Sequence, residues 1–292
     1  MKQKKTLQIL LLVFAGLLVL YAGISFYKKN KSSKEDSDQT LITNLKSLTS
    51  ISYNNNGETL SFEKGRNKWY YSKNKKYPIT QSSLESLAST FQKVEAVREL
   101  KNADALKDYG LDKPTYTVRV KDKSGKSVIY YIGNATGENY YITYGDKSKI
   151  YTVSSDIASG LSSSLDDLIT TDTFPTLSTG NLKKVLITKN GKTTTYTSKK
   201  KNLDGIAGGL GVFTFGDCQN YYASQSDLKK YGLDSDSRIT VDITYKDTDT
   251  KKTKIVLYIG KKDSDEKNYY VQLKGSHMVY LSDKDVVKNI LN

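Results

Sequence analysis

Apolar positions fall into two periods along this chain. Tyr116, Val118 and Val120 alternate with polar residues, as do Ile239, Val241, Ile243 and Tyr245, which is the two-residue period of a half-buried strand. Before each run stands Tyr-Gly-Leu-Asp, at 109–112 and again at 231–234. Helices often end with a glycine in the left-handed conformation, followed by an apolar residue that packs back three positions before the cap. Leu106, Gly110 and Leu111 have that spacing, and Leu228, Gly232 and Leu233 repeat it. Asn102 and Ser224 each stand eight residues before their glycine, and both side chains can accept from the free amides of a helix start. Two capped helices of about two turns are predicted, with Gly110, Leu111, Gly232 and Leu233 as structural helix stops that lead into strands.

The surroundings repeat as well. The strand-like "IYYIGNATGENYYI" from Ile129 answers to "VLYIGKKDSDEKNYYV" from Val256, and "KIYTVSSDI" answers to "MVYLSDKDV". Earlier, Asn56-Gly57 and Asn190-Gly191 stand between alternating runs, where a two-residue hairpin turn needs positive φ. The segment "RNKWYYSKNKKYPIT" is shortened in the second copy. The expected class is α+β, with two tandem repeated domains. Each is predicted to hold a hairpin, one or two helices, a four-stranded antiparallel meander sheet and a closing helix.

Leu84, Leu87, Phe91, Val94 and Val97 fall at helical spacing, which predicts an amphipathic helix over 83–100. The corresponding stretch of the second copy carries five glycines from Gly205 to Gly216. Each costs about 1 kcal/mol in a helix interior relative to alanine, so an irregular helix or a loop is expected there. The phosphate-loop and dinucleotide fingerprints are both missing from this run, which argues against nucleotide binding.

The N terminus changes the picture. Residues 6–27 contain no charge, and about twenty such residues in a helix cross a bilayer core. The expected organisation is a cytoplasmic N terminus at 1–5, a transmembrane signal anchor at 6–27 and a polar stalk at 28–44. A first domain at 45–170, a linker at 171–181 and a second domain at 182–292 follow. A cleaved secretory signal is the alternative, with Gly23-Ile24-Ser25 as the small-x-small stretch. Lys2, Lys4 and Lys5 favour a cytoplasmic start, although Lys28 and Lys29 flank the other side.

The formal net charge is +14. Lysines are scattered over both repeats rather than gathered on one element, so nucleic-acid binding is disfavoured, while attraction to anionic envelope polymers or lipid headgroups is physically reasonable. The chain has one histidine, His277, and one cysteine, Cys218. That pair supplies neither a disulfide nor a zinc site, and a small apolar role for Cys218 and a turn role for His277 are expected. Asp166-Asp167 and Asp263–Glu266 read as a helix end and a hairpin tip. No catalytic residues, metal ligands or cofactor-binding residues are assigned, and binding is expected rather than catalysis. Tyrosine is abundant, with 23 against 7 Phe and 1 Trp, and it recurs in doublets. A strand doublet turns one ring inward and one outward. Cross-strand pairing accounts for such rings, and an interaction surface through Tyr130, Tyr140 and Tyr269 is the functional alternative.

The anchor, the repeated "YGLD" (with Pro114 following in the first copy), and the "YIG", "NYY" and "IYTV"-like strands together resemble the domain-of-unknown-function 4340 family across nearly the whole extramembrane chain. The resemblance implies a single-pass cell-membrane protein with the bulk of the chain extracytoplasmic. It also implies similarity to auxiliary components of ABC-type transport and gliding-motility systems. On that footing the expected function is a membrane-anchored binding or scaffolding module whose partners are the membrane and ABC-transporter membrane subunits. A cell-envelope glycan-binding protein or wall-processing enzyme is the alternative, and no small-molecule cofactor is expected.

Overall fold

The computed structural model describes residues 40–55, 57–199, 202–247 and 251–291. The expected anchor, the flank before it and residues 28–39 of the stalk lie outside these. Among the described residues no helix is long and apolar enough to cross a membrane.

In chain order the first half runs β1 (Thr40–Asn44), β2 (Leu48–Asn55), β3 (Glu58–Lys64), β4 (Trp69–Tyr71), α1 (Gln81–Gln92), β5 (Lys93–Ala96), β6 (Arg98–Glu99), β7 (Tyr116–Asp122), β8 (Ser127–Thr136), β9 (Asn139–Tyr144) and β10 (Tyr151–Ser154). The second half runs β11 (Leu182–Lys189), β12 (Lys192–Thr197), α2 (Leu203–Gly211), β13 (Cys218–Asn220), α3 (Gln225–Tyr231), β14 (Ile239–Lys246), β15 (Lys252–Lys262), β16 (Asn268–Leu273), β17 (Val279–Asp283) and α4 (Lys284–Leu291). Antiparallel pairing with a few helices makes the fold α+β.

The chain forms two compact units interleaved in sequence: one extends up to Leu48 and resumes at Leu87–Leu161, and the other joins Thr49–Ser86 to the residues from Ser162 onward. They differ from the contiguous 45–170 and 182–292 read from the repeats. In the first unit β7, β8, β9 and β10 form an antiparallel meander, and β6 adds to β10. Thr40–Asn44, assigned from sequence to the stalk, pairs as β1 with β5. In the second unit β2, β3 and β4 form a small meander, and a seven-stranded sheet has the order β12-β11-β14-β15-β16-β17-β13. The meander β14 to β17 thus parallels β7 to β10, and each ends on a short strand borrowed from earlier in the chain.

Both Tyr-Gly-Leu-Asp junctions have the same backbone. Gly110 and Gly232 have φ of +68° and +66°. The amide of Leu111 donates to the Leu106 carbonyl at 2.9 Å, and that of Leu233 to Leu228 at 2.9 Å, which is the six-to-one bond of a Schellman cap. Leu111 and Leu233 are both fully buried. The helices before them differ. Ser224 caps α3 through a reciprocal capping box with Asp227. In the first copy only a single 3-10 turn, Leu106–Tyr109, forms, its N-cap is Ala105 without a side-chain bond, and Asn102 sits at φ +56° rather than capping.

The join extends to the "YIG" strands. Register shifts between Ile132 and Ala135 and between Ile259 and Lys262 mark β-bulges in β8 and β15. Gly133 and Gly260 occupy these bulges. A Cβ on Gly133 would fall within the shell of the Tyr109 carbonyl oxygen, and one on Gly260 within that of Tyr231. Each helix stop is seated directly on a strand glycine, which explains why the two motifs recur together.

The expected helix over 83–100 ends at Gln92. Beyond it Lys93-Val94-Glu95-Ala96 alternates exposed and buried as β5, with Val94 and Ala96 inside, and Val97, counted as a helical core position, is 48% exposed. The run satisfies both periods, and pairing with β1 decides for the strand. The closing helix expected in the first copy is replaced by 3-10 turns at Ser155–Ala158 and Asp166–Leu168.

The glycine run is also corrected. Residues 203–211 form α2, capped by Asn202, whose side chain accepts from the Gly205 amide at 3.0 Å. Gly209 is buried, and a Cβ there would stand 2.9 Å from the Asn289 and Ile290 backbone of α4. The glycine therefore permits close helix contact, which outweighs its helix propensity. Gly208 faces open space. Gly208→Ala is expected to raise stability by about 0.5–1 kcal/mol, and Gly209→Ala to lower it by about 1–3 kcal/mol through overpacking. Urea midpoints of the two variants check the opposite signs.

Candidate functional site

In the second unit, the stretch after β4, which the second repeat shortens, reaches the segment between β13 and α3. Gln81, the first residue of α1, clamps the base of this excursion. Its Nε2 donates to the carbonyls of Trp69 and Ile79, and its Oε1 accepts from the Trp69 amide at 2.7 Å. At the tip Tyr77 meets Tyr221 edge to face, with centroids 5.2 Å apart. Tyr221 donates its hydroxyl to the Asp166 carboxylate. Burial first, and that carboxylate second, push the phenol well above its ordinary range, so it stays a neutral donor. Next to it the Lys76 ammonium lies 4.8 Å from the Tyr222 ring, and Tyr222 stacks on His277 at 4.1 Å.

The opposite side is built by the second helix stop. Leu228, Leu233, Ala223, Tyr258 and Val279 form one buried cluster, which fixes α3 on the sheet. The Ser224 hydroxyl and amide hold the Asp227 carboxyl at about 2, so the capping box stays charged through the neutral range. Beyond the stop, Asp234 accepts from the Asp236 amide and the Ser237 hydroxyl through its side chain, and from the Arg238 amide through its carbonyl at 3.1 Å. That turn delivers Arg238 over the Tyr258 ring, with the guanidinium carbon 3.7 Å from the centroid. Gln272 is the cross-strand partner of Tyr258, is 4% exposed, and has no side-chain hydrogen-bond partner among the described residues.

Lys76, Tyr222, Arg238, Tyr258, Gln272 and His277 line a cavity of about 500 Å³. None of its lining residues is acidic, and among the described residues neither Lys76 nor Arg238 forms an ion pair. A second cavity, of about 670 Å³, lies in the first unit between 99–106 and 147–150. Its charges are partly met internally, Lys149 pairing with Glu99 at 3.1 Å.

Of the sequence-predicted residues, Leu233 supports the cavity from beneath and His277 lines it. Tyr130 is not a surface residue. It is fully buried, its hydroxyl bonds Thr43 and donates to the Phe91 carbonyl at 3.3 Å, and its ring packs on Phe91. Tyr140 and Tyr269 are half-buried on β9 and β16 and do not line the cavity. Burial, with the Asp166 and Asp172 carboxylates adding to it, pushes the Cys218 thiol up to about 11, which keeps it from acting as a thiolate nucleophile at neutral pH. No group of three or more metal-ligating side chains converges among the described residues. Lys76, Arg238 and Gln272 carry no motif. The available signals were the lysine-rich stretch that the second copy shortens, and Arg238 as the single arginine of the second half.

The model of the domain of unknown function DUF4340 matches residues 69–208 and again 195–289. The chain belongs to the DUF4340 family. Each DUF4340 match includes one Tyr-Gly-Leu-Asp stop and one bulge glycine, so the join is common to both matched stretches. The cavity's Tyr222, Arg238, Tyr258, Gln272 and His277 lie in the second DUF4340 match, and Lys76 comes from the first. No curated protein and no solved structure matches the chain.

Proposed function

We propose that this protein is a membrane-anchored extracytoplasmic binding module, two tandem α+β domains behind the span 6–27, that assists an ABC-type transport complex. The cavity of the second unit carries the binding part of this reading. Its cations, amide and aromatic rings are held on a rigid sheet and helix stop, an arrangement suited to recognition, and the Cys218 thiol is poorly placed in pKa for bond-making. The double family match supports the tandem domains. The uncharged span supports the tether, and the transport complex follows from the family resemblance alone. Envelope-glycan binding is the second reading, favoured by the stacked Tyr222 and His277 rings at the cavity.

Crosslinking in native membranes tests the proposal. Transporter membrane subunits are expected among the captured partners. Recovery of wall polymer alone would replace the transport reading with glycan binding.

A further inference from the structure

A guanidinium stacked on a ring satisfies its faces and keeps its in-plane N–H donors available. Arg238 is held in this way over Tyr258, half-buried and without a carboxylate partner among the described residues. Gln272, paired across the strands with Tyr258 and 4% exposed as a residue, brings its amide to the same cavity. The amide has no hydrogen-bond partner among the described residues and is not one of their sealed-off polar groups, so its donors and acceptor are open to whatever fills the cavity. Lys76 adds a second cation at the Tyr222 side, and no acidic residue lines the space between.

We propose that this cavity, taken as the ligand site of the binding module above, holds a small acidic ligand. Its oxyanion, a carboxylate or a phosphate, is bound by Arg238 and Gln272, and its body lies between Tyr222 and Tyr258. The anion supplies acceptors to both unpaired donor groups at once, and the planar guanidinium fork matches it in two-point geometry. A cavity of about 500 Å³ lies in the usual range for small-molecule sites. Lys76, exposed at the mouth, steers the ligand more than it holds it, so its share of affinity is sensitive to salt.

The test is ligand-observed NMR titration of the full chain in detergent with three sugars of one body: glucose, glucuronate and glucose 6-phosphate. At least one of the two acids is expected to bind tenfold or more tightly than glucose, and which one distinguishes carboxylate from phosphate. Arg238→Gln is expected to remove that preference, Arg238→Lys to restore only part of it, and Lys76→Gln to weaken binding by a few-fold at low salt and less at high salt. Gln272→Leu separates recognition from packing. With no partner inside the protein to lose, it is expected to melt at or above the parent while binding the acid several-fold more weakly. Equal binding of all three sugars, or no binding of either acid, would overturn the acidic-ligand assignment. So would a Gln272→Leu variant that loses stability but keeps affinity. These outcomes are independent of the crosslinking result: partners captured without acid binding would sink this inference alone, and acid binding without a transporter partner would sink only the transport reading.

Discussion

Gly133→Ala is expected to destabilise the protein by about 3 kcal/mol, and Gly260→Ala by about the same amount. Overpacking usually costs about 1–3 kcal/mol. The upper end applies because the new methyl would meet a backbone carbonyl, Tyr109 or Tyr231, which cannot swing aside as a side chain would. Both carbonyls belong to helix stops fixed by the Leu111 and Leu233 amide bonds, so relief would mean undoing the stop. The corresponding fall in melting temperature is about 10 °C for units of this size. Gly180→Ala is the control, since the nearest atom to its Cβ is the Ser178 hydroxyl at 3.6 Å, an ordinary contact. Calorimetry of the full chain reads all three. A parent-like melt for either bulge variant would show that the stop can slide off its strand.

Trp69→Ala is expected to cost about 4 kcal/mol, within the range for removing a buried large aromatic. Trp69 is 1% exposed, and its backbone is bonded at both amide and carbonyl to Gln81. The indole Nε1 has no hydrogen-bond partner among the described residues, so Trp69→Phe gives up no hydrogen bond there and should lose less than half as much. Trp69 is the single tryptophan, so unfolding is best followed by circular dichroism in urea. Because Trp69 and Gln81 anchor the excursion carrying Lys76 and Tyr77, Trp69→Ala should also weaken acid binding at the cavity. Equal losses from Ala and Phe would mean that the indole edge, rather than the ring volume, holds the site.

The parts of this fold that were legible in the sequence are those decided within a few residues. Gly110 and Gly232 announce positive φ because Leu111 and Leu233 follow at the spacing a Schellman cap requires, and the alternating runs of β7 and β14 fix which side chains point inward. What was misread depended on partners distant in sequence. Val94 fits a helix and a strand equally well until β1 arrives to pair with it. Gly209 reads as a helix breaker until the α4 backbone is found where its side chain would be. The doublet Tyr130-Tyr131 turns one ring in and one out, and it is Tyr130, taken from sequence as an interaction-surface residue, that lies inside the β1 and α1 packing. The cavity was the least legible, because Lys76, Arg238 and Gln272 come from three separate segments and meet only in the folded chain.

The seating of each helix stop on its bulge glycine bears on how the chain tolerates change in length. Gly110 and Gly133 are 23 residues apart, and Gly232 and Gly260 are 28 apart. Closing the longer loop costs only about 0.2 kcal/mol more, because closure entropy grows with the logarithm of length. The connection between the two paired strands can therefore gain or lose residues at almost no thermodynamic cost while the two glycines still find each other. The connection between β14 and β15 is the place where an added peptide, or a fluorescent or affinity tag, should be accepted with the helix stop left in register.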